Sequence, residues 1–287
     1  MPKSGFAVIV GRSNVGKSTL LNALIGTKIA IVTEKPQTTR SRIQGILNDE
    51  RGQVVFIDTP GLFQKTGDIV TERLNTIVAD SLRDIDVVIY VVDPTRAIGN
   101  EERELLRLLE AIPKEKKILV INKSDLFTRS FEHEYERELD KYIAVIRVSA
   151  LEEKGIEELK DKVFELMNEG EYYFPEGQVT TLEHTDWIAE LIREKAFKYL
   201  QDEVPYSVSV RVDEYGEKKG IYHIHATILT NSEHYKGIII GRAGLKIGEI
   251  GTAARKELEV ALGKKVFLKL NVDVDEAWEM RFAHPES

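Results

Sequence analysis

Residues 11–18, Gly11-Arg12-Ser13-Asn14-Val15-Gly16-Lys17-Ser18, leave this chain fewer options than any other stretch. A short apolar run at 6–10 precedes them and a helical pattern at 19–24 follows. Strand, glycine-bounded loop and helix start, in that order, form a cradle for phosphate. Glycines admit backbone angles that other residues resist, so successive N–H groups turn inward toward an anion. A helix beginning at Lys17 adds the positive end of its dipole. Lys17 supplies a cation for the outer phosphates, and Ser18 a hydroxyl for Mg²⁺. Gly11, Ser13, Asn14, Val15, Gly16 and Thr19 complete the expected contacts.

Around this loop the first part of the chain reads as one sheet. Apolar, β-branched runs recur at 6–10, 54–57, 87–92, 118–121 and 143–148 without alternation. That pattern belongs to parallel strands buried on both faces. Amphipathic helical stretches lie between them, as at 101–110 with Leu105, Leu106, Leu108 and Leu109. Residues 43–49 and 53–57 read as a hairpin turned at 48–52. The expectation is a mostly parallel α/β sheet with one antiparallel pair, in which ligands bind beyond the carboxyl ends of the strands.

The remaining motifs sit at those ends. Asp58-Thr59-Pro60-Gly61 follows the strand at 54–57. The acid there can hold Mg²⁺, and Gly61 offers an N–H to a γ-phosphate; read without the upstream loop, the same residues make a turn. Asn122-Lys123-Ser124-Asp125 ends the strand at 118–121. The Asp125 carboxylate can accept from N1–H and the 2-amino group of guanine, a donor pair adenine lacks. Two charge-assisted bonds at about 1.5–3 kcal/mol each select guanine over adenine by roughly 10²–10⁴. Asn122 would brace the loop and the Lys123 stem lie along the base; a helix cap at Ser124 or Asp125 is the plainer alternative. Ser149-Ala150-Leu151 closes the last strand, with the Ala150 N–H the expected donor to the base carbonyl. The polar stretch 33–41 holds Thr38 and Thr39, of which Thr39 is the expected second hydroxyl on Mg²⁺, Thr38 being the alternative. The ligand class is GTP/GDP with Mg²⁺.

In this order and spacing, the motifs resemble the translation-factor class of GTPases. The nearer branch carries an apolar residue after Asp-Thr-Pro-Gly, here Leu62, where classical small GTPases have a water-orienting glutamine. Leu62 cannot hydrogen-bond water, so unassisted hydrolysis is expected to be slow. Asn14 matches the asparagine that binds K⁺ beside the phosphates in potassium-stimulated members of this branch. The resemblance therefore adds K⁺ to the expected cofactors and makes Lys17, Thr39, Gly61 and Asn14 the catalytic set.

Residues 1–170 are thus read as the GTPase domain and 171–181, with Gly177 and Pro175, as a linker. Tyr172, Tyr173 and Phe174 within it are expected to pack on a domain. Beyond 182 the style changes to one helical stripe and three alternating strands, a half-covered sheet in the order helix, strand, strand, helix, helix, strand. Gly241-Arg242-Ala243-Gly244 joins the two consecutive helices. Such a loop lets backbone approach a sugar-phosphate chain. That element order resembles a K-homology domain of type II. The expected RNA contacts are Ile240, Gly241, Arg242, Ala243 and Gly244 with Lys236, Lys246, Arg255 and Lys256, a locally basic strip on a chain of net charge −8 at pH 7. His223 and His225 share a strand face and read as solvated rather than metal-binding, with no metal cluster expected. Asp273, Asp275, Glu276 and Glu279 flank Trp278, as a segment competing with RNA for the strip or as a small closing helix.

The whole is α/β: a P-loop GTPase domain followed by an α+β type II K-homology domain over 182–287. That pairing resembles the Era family of bacterial GTPases. The resemblance implies binding to small-subunit (16S-type) ribosomal RNA near its 3′ end, a role in small-subunit maturation, and a monomeric protein. With no Cys, disulfide and thiolate chemistry are excluded. The opening Met-Pro-Lys-Ser lacks the apolar core of a signal peptide, so the cytoplasm is the expected location. A signalling GTPase whose basic strip meets anionic lipid at the inner face of the membrane is the alternative.

Overall fold

The β-branched runs become strands with both faces covered. In a computed structural model of the chain, residues 1–33, 35, 38–40, 42–61, 69–137 and 139–283 are described. Leu62, Pro36 and Gln37 lie outside them. The first of two units, Met1–Thr181, runs β1 (Lys3–Val10), α1 (Lys17–Ile25), β2 (Ile43–Asp49), β3 (Gly52–Asp58), α2 (Ile69–Ser81), β4 (Val87–Val92), α3 (Asn100–Glu110), β5 (Lys117–Ile121), α4 (Glu132–Glu136), β6 (Ala144–Arg147), α5 (Ile156–Leu166) and β7 (Asn168–Glu169). Its sheet has the order β2-β3-β1-β4-β5-β6. β3, β1, β4, β5 and β6 are mutually parallel, and β2 pairs antiparallel with β3. The short β7 pairs with Lys3 and Ser4, before the point where β4 joins β1. Val8, Val88, Tyr90, Leu105, Leu109 and Leu119 fill one core, each apolar side chain contributing about 1.5–3 kcal/mol. Parallel strands send β1, β3, β4, β5 and β6 out at one edge of the sheet, which gathers every motif loop there.

The stretch expected as a linker divides differently. All of 171–181 falls within the first unit, and Leu182 opens the second. Buried Gln53 on β3 explains the attachment. Its Oε1 accepts from the N–H groups of Tyr173 and Phe174 at 2.9 and 3.0 Å, and its Nε2 donates to Phe174 O at 2.8 Å. Further along, Ile46 N–H donates to Val179 O at 2.9 Å. The Tyr173 ring lies 4.6 Å from that of Phe6.

The second unit, Leu182–Ser287, runs α6 (His184–Tyr199), β8 (Ser209–Lys218), β9 (Ile221–Thr230), α7 (Glu233–Ile240), α8 (Leu245–Leu262), β10 (Lys265–Val274) and α9 (Trp278–Ala283). The sheet order is β10-β9-β8, β10 parallel to β9 and β8 antiparallel to it. Ile188, Ile192, Ile224, Ile228, Ile250 and Leu258 form its core. Alternate residues of β10, among them Lys265, Phe267 and Lys269, stay exposed on the other face. Among the described residues, no helix is long and apolar enough to cross a membrane.

Candidate nucleotide and RNA sites

The phosphate loop joins β1 to α1. Gly16 precedes the helix at φ 100°, a left-handed angle only glycine takes readily, and offers no capping side chain. No acidic residue occupies the first turn. The helix amides and dipole are therefore left to an anion from outside. Lys17 Nζ donates to Gly11 O and Arg12 O at 2.9 and 3.0 Å. Burial lowers its pKa to about 8, against the pull of Asp58 and Glu101. Arg12 anchors the loop from behind, 3.5 Å from Glu101 and from Glu102 on α3. The same Glu102 accepts from Tyr135 Oη at 2.7 Å.

Three metal candidates converge. Ser18 Oγ donates to Asp58 Oδ2 at 2.6 Å and lies 3.0 Å from Thr39 Oγ1, which is itself 3.5 Å from Asp58 Oδ2. Thr38 also lines the cavity, but its Oγ1 lies 2.6 Å from Thr33 Oγ1 and donates to Lys35 O at 2.7 Å. Asp58 is fully buried, and burial raises its pKa to about 6. Its Oδ1 accepts no hydrogen bond among the described residues. A buried carboxylate oxygen without a donor, beside two hydroxyls, is a fitting donor set for a hard divalent cation. Gly61 comes so close that a methyl there would sit 2.7 Å from Cα and N of Ser13.

The base end is built from the next two strands. Asn122 Nδ2 donates to Val15 O at 2.8 Å, tying this loop to the phosphate loop. Lys123, at φ 59°, pairs with buried Asp93 at 2.5 Å. Ser149 Oγ donates to Asp125 Oδ1 at 2.5 Å, which fixes the carboxylate that faces the cavity. The Ala150 N–H, the expected donor to the base carbonyl, donates to Asn122 Oδ1 at 3.0 Å, an acceptor supplied by tertiary structure.

All of this encloses one cavity of about 600 Å³. Ser13, Asn14, Gly16, Lys17, Ser18, Thr19, Thr39, Gly61, Asn122, Lys123, Asp125, Ala150 and Leu151 line it. Gly11, Val15, Asp58 and Ser149 stand behind as buried supports. Arg96, Ile31 and Val32 also line it and carry no motif signal; Arg96 Nη1 reaches Ser13 O at 3.5 Å.

In the second unit, Gly241 takes φ 72°, ψ 175°, and Ala243 and Gly244 follow at φ 51° and 76°. This strained turn leaves α8 with a glycine N-cap and no side-chain cap. A cavity of about 280 Å³ runs from Gly244 along α8 against β10, lined by Gly248, Gly251, Thr252, Arg255, Leu268 and Leu270 among others. The sequence reading missed the α8 glycines, whose spacing along one helix face was the available signal. The basic strip is partly paired: Lys246 with Glu249 at 2.8 Å, Arg255 with Glu259 at 3.3 Å, Lys236 with Asp273 at 3.4 Å. Lys236 and Lys256 lie outside the cavity lining. In the tail, Trp278 is buried, Glu279 binds Asn231, and Asp275 pairs with Arg281 within the tail itself.

The family model described as 50S ribosome-binding GTPase matches residues 6–123, and the KH domain model matches 203–279. Among curated proteins, the chain is 43% identical over 281 residues to GTPase Era of Carboxydothermus hydrogenoformans, covering 96% of this chain and 94% of the relative. It is 40% identical to GTPase Era of Heliobacterium modesticaldum, covering 97% and 94%. Among solved structures, Era in complex with MgGDPNP and nucleotides 1506–1542 of 16S ribosomal RNA superposes with TM-score 0.91 at 34% identity, covering 100% of this chain and 97% of that one. A point variant of Aquifex aeolicus Era bound to GDP·AlF4⁻ gives 0.90 at 34%, covering 99% and 97%.

Proposed function

This chain belongs to the GTPase Era family, and from that membership we propose a GTP-hydrolysing switch that binds small-subunit ribosomal RNA near its 3′ end and assists small-subunit maturation. The observation that carries the reading is one cavity with Ser18, Thr39 and Asp58 gathered at its phosphate end and Asp125 held by Ser149 at its base end. Residues 1–170 act as the GTPase domain, 171–181 as the connecting stretch and 182–287 as the RNA domain.

In this reading the loop from Gly11 to Thr19 wraps the phosphates, and Lys17 neutralises their outer oxygens. Ser18, Thr39 and Asp58 hold Mg²⁺, which when bound offsets the charge developing between the β- and γ-phosphates. Gly61 presents its N–H to the γ-phosphate. Asn14 contributes to a K⁺ site beside it, an added cation in place of an arginine finger. Asp125 selects guanine, braced by Asn122, with Lys123 along the base and Ser149, Ala150 and Leu151 closing over it. The relative solved with a 16S segment supports RNA binding; in this reading the RNA meets the Gly241–Gly244 turn, with Ile240, Arg242, Lys236, Lys246, Arg255 and Lys256 around it. The protein works as a cytoplasmic monomer.

Single-turnover hydrolysis of GTP and of ATP, in K⁺ and in Na⁺, with and without an oligomer of the 16S 3′ end, tests the reading. GTP alone should turn over, faster in K⁺, and the oligomer should bind while anionic vesicles do not. Equal handling of ATP, or binding to vesicles in place of RNA, would overturn it.

A further inference from the structure

The first unit carries a second cavity, of about 560 Å³, that shares no lining residue with the nucleotide cavity. It lies between α3, the turn Lys114–Lys116 ahead of β5 and the turn Leu139–Lys141 ahead of β6. Arg103 and Arg107 stand one helical turn apart on α3, with Lys114 and Lys141 on the facing turns. Lys117 forms the floor: it is 7% exposed, and its Nζ donates to Leu109 O at 3.0 Å. Against these cations the lining holds one acidic side chain, Glu110.

Two features separate this groove from an ordinary solvated face. Arg103, Arg107 and Lys114 make no ion pair among the described residues; Arg103 Nη1 donates only to the neutral Asn100 Oδ1, at 3.1 Å. Lys246 and Arg255 beside the α8 cavity, by contrast, already meet carboxylates. And the chain as a whole carries −8 at pH 7, so a concave surface lined this way is a local positive field on an acidic protein. Guanidinium forks one turn apart suit successive phosphates. The aromatic ring in the lining, Tyr142, is 5% exposed and stacked on Tyr90 at 6.2 Å, so no ring face is offered to a base. The chemistry recognises phosphate, not sequence.

We infer that this groove is a second RNA site, taking the phosphodiester backbone of a segment beyond the one held at the Gly241–Gly244 turn. The inference rests on the RNA-binding reading of the second unit. Two linked contacts on one RNA strengthen attachment without either being tight.

The test is the full-length R103Q/R107Q/K114Q variant, three exposed side chains whose loss leaves both cores intact. Two RNAs are titrated across a salt series: the 16S segment corresponding to nucleotides 1506–1542 of the solved relative, and a short single-stranded piece of its 3′ end. For the long RNA, the log–log salt dependence should become shallower by about 2–3, at 0.7–0.9 for each lost phosphate contact. Its affinity at low salt should fall more than about tenfold, while the short oligomer and basal GTP hydrolysis stay unchanged. Unchanged long-RNA binding, or equal loss on both RNAs, overturns the inference and leaves the reading of the second unit standing. So does a loss confined to phosphatidylserine vesicles, which would make the groove a lipid contact. Wild-type protein that binds neither RNA removes both.

Discussion

Ser18 Oγ donates to Asp58 Oδ2 at 2.6 Å, while Asp58 Oδ1, fully buried, receives no hydrogen bond among the described residues. The carboxylate is half satisfied inside the protein, a cost that a bound cation would offset. Asp58→Asn keeps the shape and removes the charge. The metal-free variant should melt at the same temperature or higher. The Mg²⁺-dependent tightening of GDP binding should fall by about tenfold or more, as read by fluorescent-GDP titration with and without Mg²⁺.

Acidity acts on the same pair of charges. Burial raises Asp58 to about 6 and lowers Lys17 to about 8. Because Asp58 is raised from 3.8, its contribution to stability is fully present below that value and lost as pH climbs through about 6. Lys17 has the opposite sense: between about 8 and 10.5 the folded protein binds fewer protons than the unfolded chain, so stability rises with pH there. In the proposed site, nucleotide binding with Mg²⁺ calls for the carboxylate ionised and the ammonium charged. Its pH profile in the free protein should be a bell with limbs near 6 and 8. Lys17→Arg should move the alkaline limb out of range.

Ser149 holds the Asp125 carboxylate, the group we propose selects guanine, at 2.5 Å. Ser149→Ala should speed GDP release about tenfold, the loss of one charge-assisted bond, and leave single-turnover hydrolysis within about twofold. Asp125→Ala should go further and abolish most of the preference for GTP over ATP. Stopped-flow displacement of labelled GDP separates the two effects.

Gly61→Ala would push a methyl to 2.7 Å from backbone atoms of Ser13, where no side chain can yield. The shift falls where, in the proposed reading, Gly61 would meet the γ-phosphate. Hydrolysis should slow more than about tenfold, about 1.4 kcal/mol in the barrier, with GDP affinity little changed. Parallel measurement of kcat and of the GDP Kd decides it.

At the Gly241–Gly244 turn, Gly241 combines φ 72° with ψ 175°, and a methyl there would lie 2.6 Å from Lys246 Cβ. Gly241→Ala should weaken RNA binding at least about tenfold through a displaced turn, with hydrolysis intact. Arg242→Gln and Lys256→Gln should each flatten the salt dependence by about 0.7.

Much of the site was legible because its chemistry is local. Gly16 must precede an uncapped helix, Asp58 and Asp125 must end buried strands, and Gly241 must turn where no side chain fits; each demand is met within a few residues. Other parts were not legible. Thr39 rather than Thr38 stands beside Ser18 and Asp58, a meeting of three separate segments that no local pattern encodes. The Ala150 N–H is taken by Asn122, a residue 28 positions away in the chain. Asp93, Arg96 and the Arg12–Glu102–Tyr135 brace carry no pattern, since each acts on a partner from another element.

By itself, the order of residues determined the two folding units, the glycine loop ahead of α1, the places of Asp58 and Asp125 after buried strands and the Gly241–Gly244 turn, because backbone angles and hydrophobic period are written into short stretches. Tertiary structure alone decided which hydroxyls meet Asp58, where Ala150 spends its N–H, and that Gln53 draws 171–181 onto the first unit. It also assembled Arg103, Arg107 and Lys114 around one groove. Those outcomes depend on register between distant strands and on burial, which set distances and charge in ways no local stretch encodes.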